Sequence, residues 1–130
     1  MITLTCLLRR LPELSHEEFV RYHRERHAPL VSGLPEARRY MRRYAIEHPD
    51  PANLPGVPAT TFDAVARVSF DSLDDLRGLF ESPGYQTVIR PDEQRFLDFT
   101  ASEFYLTEEW VVIGEPLSHS PGAASPSDSG

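Results

Sequence analysis

The sequence predicts an α+β fold of order β-α-β-β-α-β, and three observations carry that prediction. Apolar side chains alternate with a period of two in separate stretches, they recur at helical spacing between those stretches, and a capping signature marks the start of the first helix. The chain has 130 residues, of which 40% are hydrophobic and 25% charged. That length and balance suit one domain with its own core.

Ile2, Leu4, Cys6 and Leu8 alternate with Thr3, Thr5 and Leu7, which reads as a first strand suited to burial on both faces. Ser15 with Glu18 three residues on forms a capping box, and Phe19, Tyr22, His23, Arg26 and His27 follow at helical spacing. The first helix is therefore expected over residues 16 to 28, ended by Pro29 and the restriction it places on Ala28. Residues 37 to 48 hold Tyr40 and Tyr44 at a helical interval, yet Pro35 before them and Pro49, Pro51, Pro55 and Pro58 after them favour an extended second strand. A loop over 48 to 60 follows.

From Phe62, the residues Ala64, Ala66, Val68 and Phe70 alternate with Asp63, Val65, Arg67 and Ser69, the clearest strand pattern in the chain. Leu73, Leu76, Leu79 and Phe80 predict a short helix, which Pro83-Gly84 breaks. A further helical stretch is expected from 85 to 99 with an interruption near Pro91, and residues 103 to 113 read as the fourth strand. Residues 116 to 130 contain three Pro, five Ser and two Gly, the composition of a disordered, dispensable tail. The domain is thus expected to span 1 to 115. This order is the ferredoxin-like split unit, with both helices on one face of an antiparallel sheet. The other face reads as partly apolar, so a second copy packed sheet against sheet, a homodimer, is the expected cover.

The net charge of −7 speaks against a nucleic-acid partner, which requires a positive face. No apolar run is long enough to span a bilayer, and no leader pattern opens the chain, so a cytoplasmic protein without a membrane partner is expected. All thirteen basic residues are Arg. Without Lys there is no Schiff base, no covalent pyridoxal phosphate and no phosphate-loop lysine. The single cysteine, Cys6, excludes intramolecular disulfides and paired-cysteine metal motifs and reads as a buried small hydrophobe.

His23 and His27 lie four residues apart, a spacing that lets both project from one helical face. Arg24 stands where a zinc-protease helix would need Glu, so no metal site is expected. His27 sits at the expected helix end, where the dipole favours its charged form, and histidine is the side chain suited to proton transfer near neutrality. Asp92 and Glu93 just after Pro91 are the acids that a helix start prefers, whereas Asp98 has no such structural reason. Phe19, Tyr22, Tyr85, Phe96 and Phe99 are expected on the sheet side of their helices.

Ser15, Glu18, Phe19, Tyr22, His27, Ala28, Pro29 and Leu30, in that spacing, resemble the signature helix of the EthD family. Asp92-Glu93-x-x-Phe96-x-Asp98 and the acidic pair Glu108-Glu109 resemble its C-terminal half. The family usually carries Trp after the helix tyrosine, where this chain has the more polar His23. The resemblance implies a dimeric α/β barrel, made of two ferredoxin-like subunits joined through their sheets, with a cleft between sheet and helices and no metal or organic cofactor. It also implies aromatic or polyketide substrates of secondary metabolism that undergo cyclisation, dehydration or decarboxylation. On that basis His27, Asp98 and Tyr22 are the expected catalytic residues, His27 as general acid/base with Asp98 orienting its ring. Phe19, His23, Tyr85, Phe96, Thr5 and Tyr40 are the expected substrate contacts. A cofactor-independent monooxygenase acting on a phenol, and a module that binds a small molecule without transforming it, stand as alternatives.

Overall fold

The computed structural model describes residues 1–52 and 54–115. The elements are strand β1 (Ile2–Leu8), helix α1 (His16–Tyr22), a π-helical turn (His23–His27), helix α2 (Ala28–Ser32), helix α3 (Pro35–Tyr40), strands β2 (Met41–Glu47) and β3 (Ala64–Phe70), helix α4 (Leu73–Phe80), a second π-helical turn (Tyr85–Ile89), helix α5 (Arg90–Glu93), a 3₁₀ turn (Phe99–Ala101) and strand β4 (Glu103–Thr107). The strands form one antiparallel sheet of order β2-β3-β1-β4. This is the ferredoxin-like arrangement that the element order predicts. No helix among the described residues is long and apolar enough to cross a membrane.

Helix α1 begins where the capping box places it. The Ser15 hydroxyl accepts from the Glu18 backbone at 3.0 Å, and the Glu18 carboxylate accepts from the Ser15 backbone at 2.8 Å. Pro29, however, does not end the helix. A proline inside a helix lacks the N–H for the carbonyl four residues back and its ring collides with that carbonyl. Here the chain widens over His23–His27, with the Ala28 N–H reaching the His23 carbonyl five residues back, and α2 continues to Ser32 with Pro29 in its first turn. The same solution recurs before Pro91, where the Arg90 N–H bonds to the Tyr85 carbonyl.

Three other expectations are corrected. Residues 37 to 40 belong to α3, because Pro35 lies in the first turn of a helix rather than ahead of a strand. The stretch expected as helix to Phe99 stops at Glu93, and Leu97 instead forms a bridge with Arg10. Strand β4 ends at Thr107, where its pairing with Thr3 of β1 ends, and Trp110, Val112 and Ile113 beyond it are 84–94% exposed. The expected tail, 116–130, lies outside the described residues.

The helix-facing side of the sheet carries Leu4, Cys6 and Leu8 from β1 and Ala64, Ala66, Val68 and Phe70 from β3. These residues feed two cores. One gathers Val31, Leu34, Ala37, Phe70, Leu76, Leu79 and Ile89, the other Phe19, Leu8, Ala64, Phe96 and Leu97, and Leu4 packs against both. Between them Cys6 sits directly opposite Ala66. Two small side chains at the centre of the sheet leave the space that becomes the cavity described below. The opposite side is mixed, as the sequence pattern suggested: Leu7, Ala45 and Val65 lie there beside Thr3 and Ser69, which share a 2.8 Å hydrogen bond, Thr5 and Thr107, which share one at 2.9 Å, and the charged Arg43, Arg67 and Glu47.

Candidate active site

A cavity of about 250 Å³ lies between the sheet and the helices. Its floor is Leu4, Cys6, Ala66 and Val68, its walls include Val31, Leu34, Leu79 and Ile89, and Phe99 and Phe104 stand at its edge with their rings stacked 5.6 Å apart. Into this apolar space come five polar side chains that bear directly on chemistry: His23, His27, Tyr44, Tyr85 and Glu93.

The two widened turns supply most of them. His23 and His27 open and close the first, their ring centroids 6.0 Å apart with Phe96 packed against both. Tyr85 opens the second. π turns of this kind hold side chains in directions a regular helix does not offer. His27 is 5% exposed, and its Nδ1 lies 2.8 Å from Oδ2 of Asp92, itself 7% exposed. The other oxygen, Oδ1, accepts from the Tyr22 hydroxyl at 2.5 Å. A carboxylate can only accept, so the His27 proton sits on Nδ1, and Nε2 presents a lone pair. Burial holds the imidazole below its ordinary pKa, against the pull of the Asp92 carboxylate.

Glu93 is a further titratable group on the cavity. Burial pushes it up to about 7, although the Tyr85 hydroxyl, 2.9 Å from its carboxylate oxygens, works in the other direction. Arg90 Nε approaches the same carboxylate at 3.5 Å without forming a hydrogen bond. Burial raises Tyr85 and Tyr44 above the ordinary phenol range and pushes Cys6 up to about 12, so all three stay protonated. Burial, with His48, His27 and Arg24 nearby, pushes His23 down to about 3. Its Nδ1 meets Nε2 of His48 at 2.9 Å, and Arg24 Nε donates to His48 Nδ1 at 3.2 Å.

Of the residues expected from sequence, His27, His23, Tyr85 and Phe96 lie on this cavity. Tyr22 stands behind it, bonded to Asp92, and Phe19 is wholly buried in the adjoining core. Three fall elsewhere. Asp98 does not reach His27, because its carboxylate caps the 3₁₀ turn by accepting from Ala101 N and the Thr100 hydroxyl. Thr5 points to the other side of the sheet, paired with Thr107. Tyr40 packs outside the cavity over Gly78, where an added Cβ would come within 2.8 Å of its ring.

The acids that the structure places beside His27 and on the cavity, Asp92 and Glu93, read in sequence as helix-start residues. Sequence alone does not separate an inward carboxylate from a surface cap, and the structure draws both inward. Tyr44 carried no signal beyond its place in a strand. Among the described residues, no group of three or more His, Cys, Asp or Glu side chains is arranged to hold a metal ion.

The chain is similar to known proteins along nearly its whole described length. A conidial pigment biosynthesis dehydratase, EthD, from Metarhizium robertsii is 26% identical over 126 residues, covering 88% of each chain. An ethyl tert-butyl ether degradation (EthD) family protein of Bacillus halodurans superposes with a TM-score of 0.61 at 19% identity, covering 85% of this chain and 99% of that one. A dimeric protein of ferredoxin-like fold and unknown function from Bacteroides fragilis gives a TM-score of 0.60 at 15% identity, covering 83% and 95%. The EthD domain model matches residues 11–100, which hold His27, Asp92 and Glu93 together with both widened turns, and the chain therefore belongs to the EthD family.

Proposed function

We propose that this chain is a cofactor-free lyase of secondary metabolism that eliminates water from a small aromatic or polyketide intermediate, with His27 as the base. One observation carries the reading. A single apolar cavity pairs a histidine oriented by a buried carboxylate with a second carboxyl group held near neutrality. Two titratable groups whose surroundings push them to opposite roles are the usual mark of an acid–base pair. The fungal relative, a pigment-biosynthesis dehydratase by name, belongs to the same reaction class.

The substrate class is a β-hydroxy ketone on a ring system. Nε2 of neutral His27 takes the proton from the carbon beside the carbonyl, and the C–H electrons pass into an enolate. The electron pair returns to form the carbon–carbon double bond as the C–O bond to the β-hydroxyl breaks, and protonated Glu93 gives its proton to the departing oxygen, which leaves as water. A proton passed from His27 to Glu93 through solvent resets the pair. The apolar walls keep competing water away from the enolate. Asp92 and Tyr22 hold the imidazole tautomer, and Tyr85 holds Glu93.

The same reading takes the protein to be a homodimer, supported by relatives described as dimeric and by the exposed apolar run Trp110, Val112 and Ile113. The test uses 3-hydroxy-1-tetralone, whose loss of water gives 1-naphthol. The wild-type protein is expected to accelerate naphthol formation without consuming oxygen, and His27→Asn to lower kcat by about 10²-fold or more at an unchanged melting temperature. Equal turnover by His27→Asn would remove the assignment, and oxygen uptake matched to product would make the chain an oxygenase instead.

A further inference from the structure

Proton positions along one chain of side chains are fixed by elimination. Arg has no acceptor and never loses its proton in a protein, so Arg24 Nε donates to His48 Nδ1. A His48 Nδ1 that accepts leaves the ring's proton on Nε2, and that proton is given to His23 Nδ1 2.9 Å away. His23 Nδ1 in turn accepts, so the His23 proton sits on Nε2. His23 lines the cavity and is 1% exposed overall. With Nδ1 committed to His48, the nitrogen left for the cavity is Nε2, bearing its hydrogen.

The two histidines of the widened turn therefore present opposite faces to the same space. His27 offers a lone pair because a carboxylate stands behind it; His23 offers a hydrogen because a donating imidazole stands behind it. We infer that His23 Nε2–H is the hydrogen-bond donor for the substrate's carbonyl oxygen, and that His48 and Arg24 are positioning residues that fix its donor tautomer. The oxygen concerned is the one that gains negative charge when the neighbouring carbon loses its proton to His27. A neutral donor aimed at developing charge in a dry cavity strengthens its bond as that charge grows. The two ring centroids lie 6.0 Å apart and both residues line the same cavity, so one small substrate can meet both at once. The donor also selects substrate: a ring carrying no acceptor at that point leaves the His23 N–H buried without a partner.

This role deepens the elimination reading, but its test needs no turnover. With ¹⁵N-histidine label, the ring-nitrogen spectrum of the intact protein is expected to show His23 and His48 protonated at Nε2 and His27 at Nδ1. A His23 protonated at Nδ1 overturns the inference outright.

Binding is then compared for 1-tetralone, which has a carbonyl, and tetralin, which lacks it. The wild type is expected to prefer 1-tetralone by about fivefold, the worth of one ordinary net hydrogen bond. The preference disappears in His23→Phe and persists in His23→Gln, whose amide N–H occupies the same position. His48→Leu, which frees the His23 tautomer, lowers the preference in the wild-type background and leaves it unchanged in His23→Gln, where there is no tautomer to set. No preference in the wild type, including no detectable uptake of either compound, overturns the proposal, as does an equal effect of His48→Leu in both backgrounds. A preserved tetralone preference in a protein that fails to dehydrate 3-hydroxy-1-tetralone would leave the donor role standing and remove only the elimination reading.

Discussion

At the scale of single residues, the site depends on which form each acid or base holds at neutral pH. His27 lies below its ordinary value, so it is neutral and basic there, and Glu93 is raised to about 7, so much of it remains protonated. The rate is expected to fall in acid as His27 gains a proton and to fall again as pH rises through about 7 and Glu93 loses its own. Glu93→Gln should abolish the alkaline fall along with most of the activity, and a wild-type kcat/KM still climbing at alkaline pH would take Glu93 out of the acid role. Stability follows the same sign. A carboxyl group whose folded pKa is raised favours the fold below its unfolded value, and that contribution disappears as pH rises through about 7. Some of this was legible in sequence: His27 stood out by its place before Ala28-Pro29, and Tyr85 and Phe96 as aromatics expected to face the sheet, although Phe96 lies past the helix end at Glu93. Asp98 did not fulfil its expectation because a carboxylate at the start of a 3₁₀ turn is consumed by that turn's own N–H groups. Asp92 was masked by the opposite error, a buried partner of His27 in a position that usually means capping.

At the scale of elements, strands β1 and β3 were written plainly in the sequence, β2 and β4 were read longer than they are, and the helices were written only up to their prolines. A period-two pattern survives any packing, so β1 and β3 appear where the alternation puts them. A proline is ambiguous, because a helix can stop before it or widen before it. Both helical segments widen here, and both widened turns carry cavity residues. The link can be tested with Pro29→Ala, which returns an N–H to the chain and allows the turn to tighten toward α-helical spacing. Helix content is expected to hold, while turnover falls by about tenfold to a hundredfold as His27 shifts relative to Asp92. Unchanged turnover would mean that side-chain contacts alone hold the turn open. A separate anchor fixes the start of α1. Burial works to raise Asp63, yet the Arg10 backbone, His16 and the Arg10 guanidinium hold its pKa low, tying the first turn of α1 to the segment that enters β3.

At the scale of the whole molecule, the outward side of the sheet mixes threonines, a serine and the charges of Arg43, Glu47 and Arg67 with the apolar Leu7, Ala45 and Val65, the partly apolar surface that the sequence pattern suggested. A second copy seated there would be held in good part by polar contacts, and those weaken with added salt. The dimer is therefore expected to have twice the chain mass at low ionic strength and to dissociate measurably more at about 1 M salt, where the Debye length is only about 3 Å. A dimer indifferent to salt would place the joint on the apolar run 110–113 instead. The pleat of the sheet adds a consequence of its own. Leu4, Cys6, Ala66 and Val68 floor the cavity, while their immediate neighbours Thr3, Thr5, Arg67 and Ser69 face the other way. One layer of backbone is thus a shared membrane between two compartments, like the skin of a drum struck from either side. Should a guest in the cavity change how tightly a neighbour is held on the far side, reciprocity requires the neighbour to change the guest's affinity by the same factor.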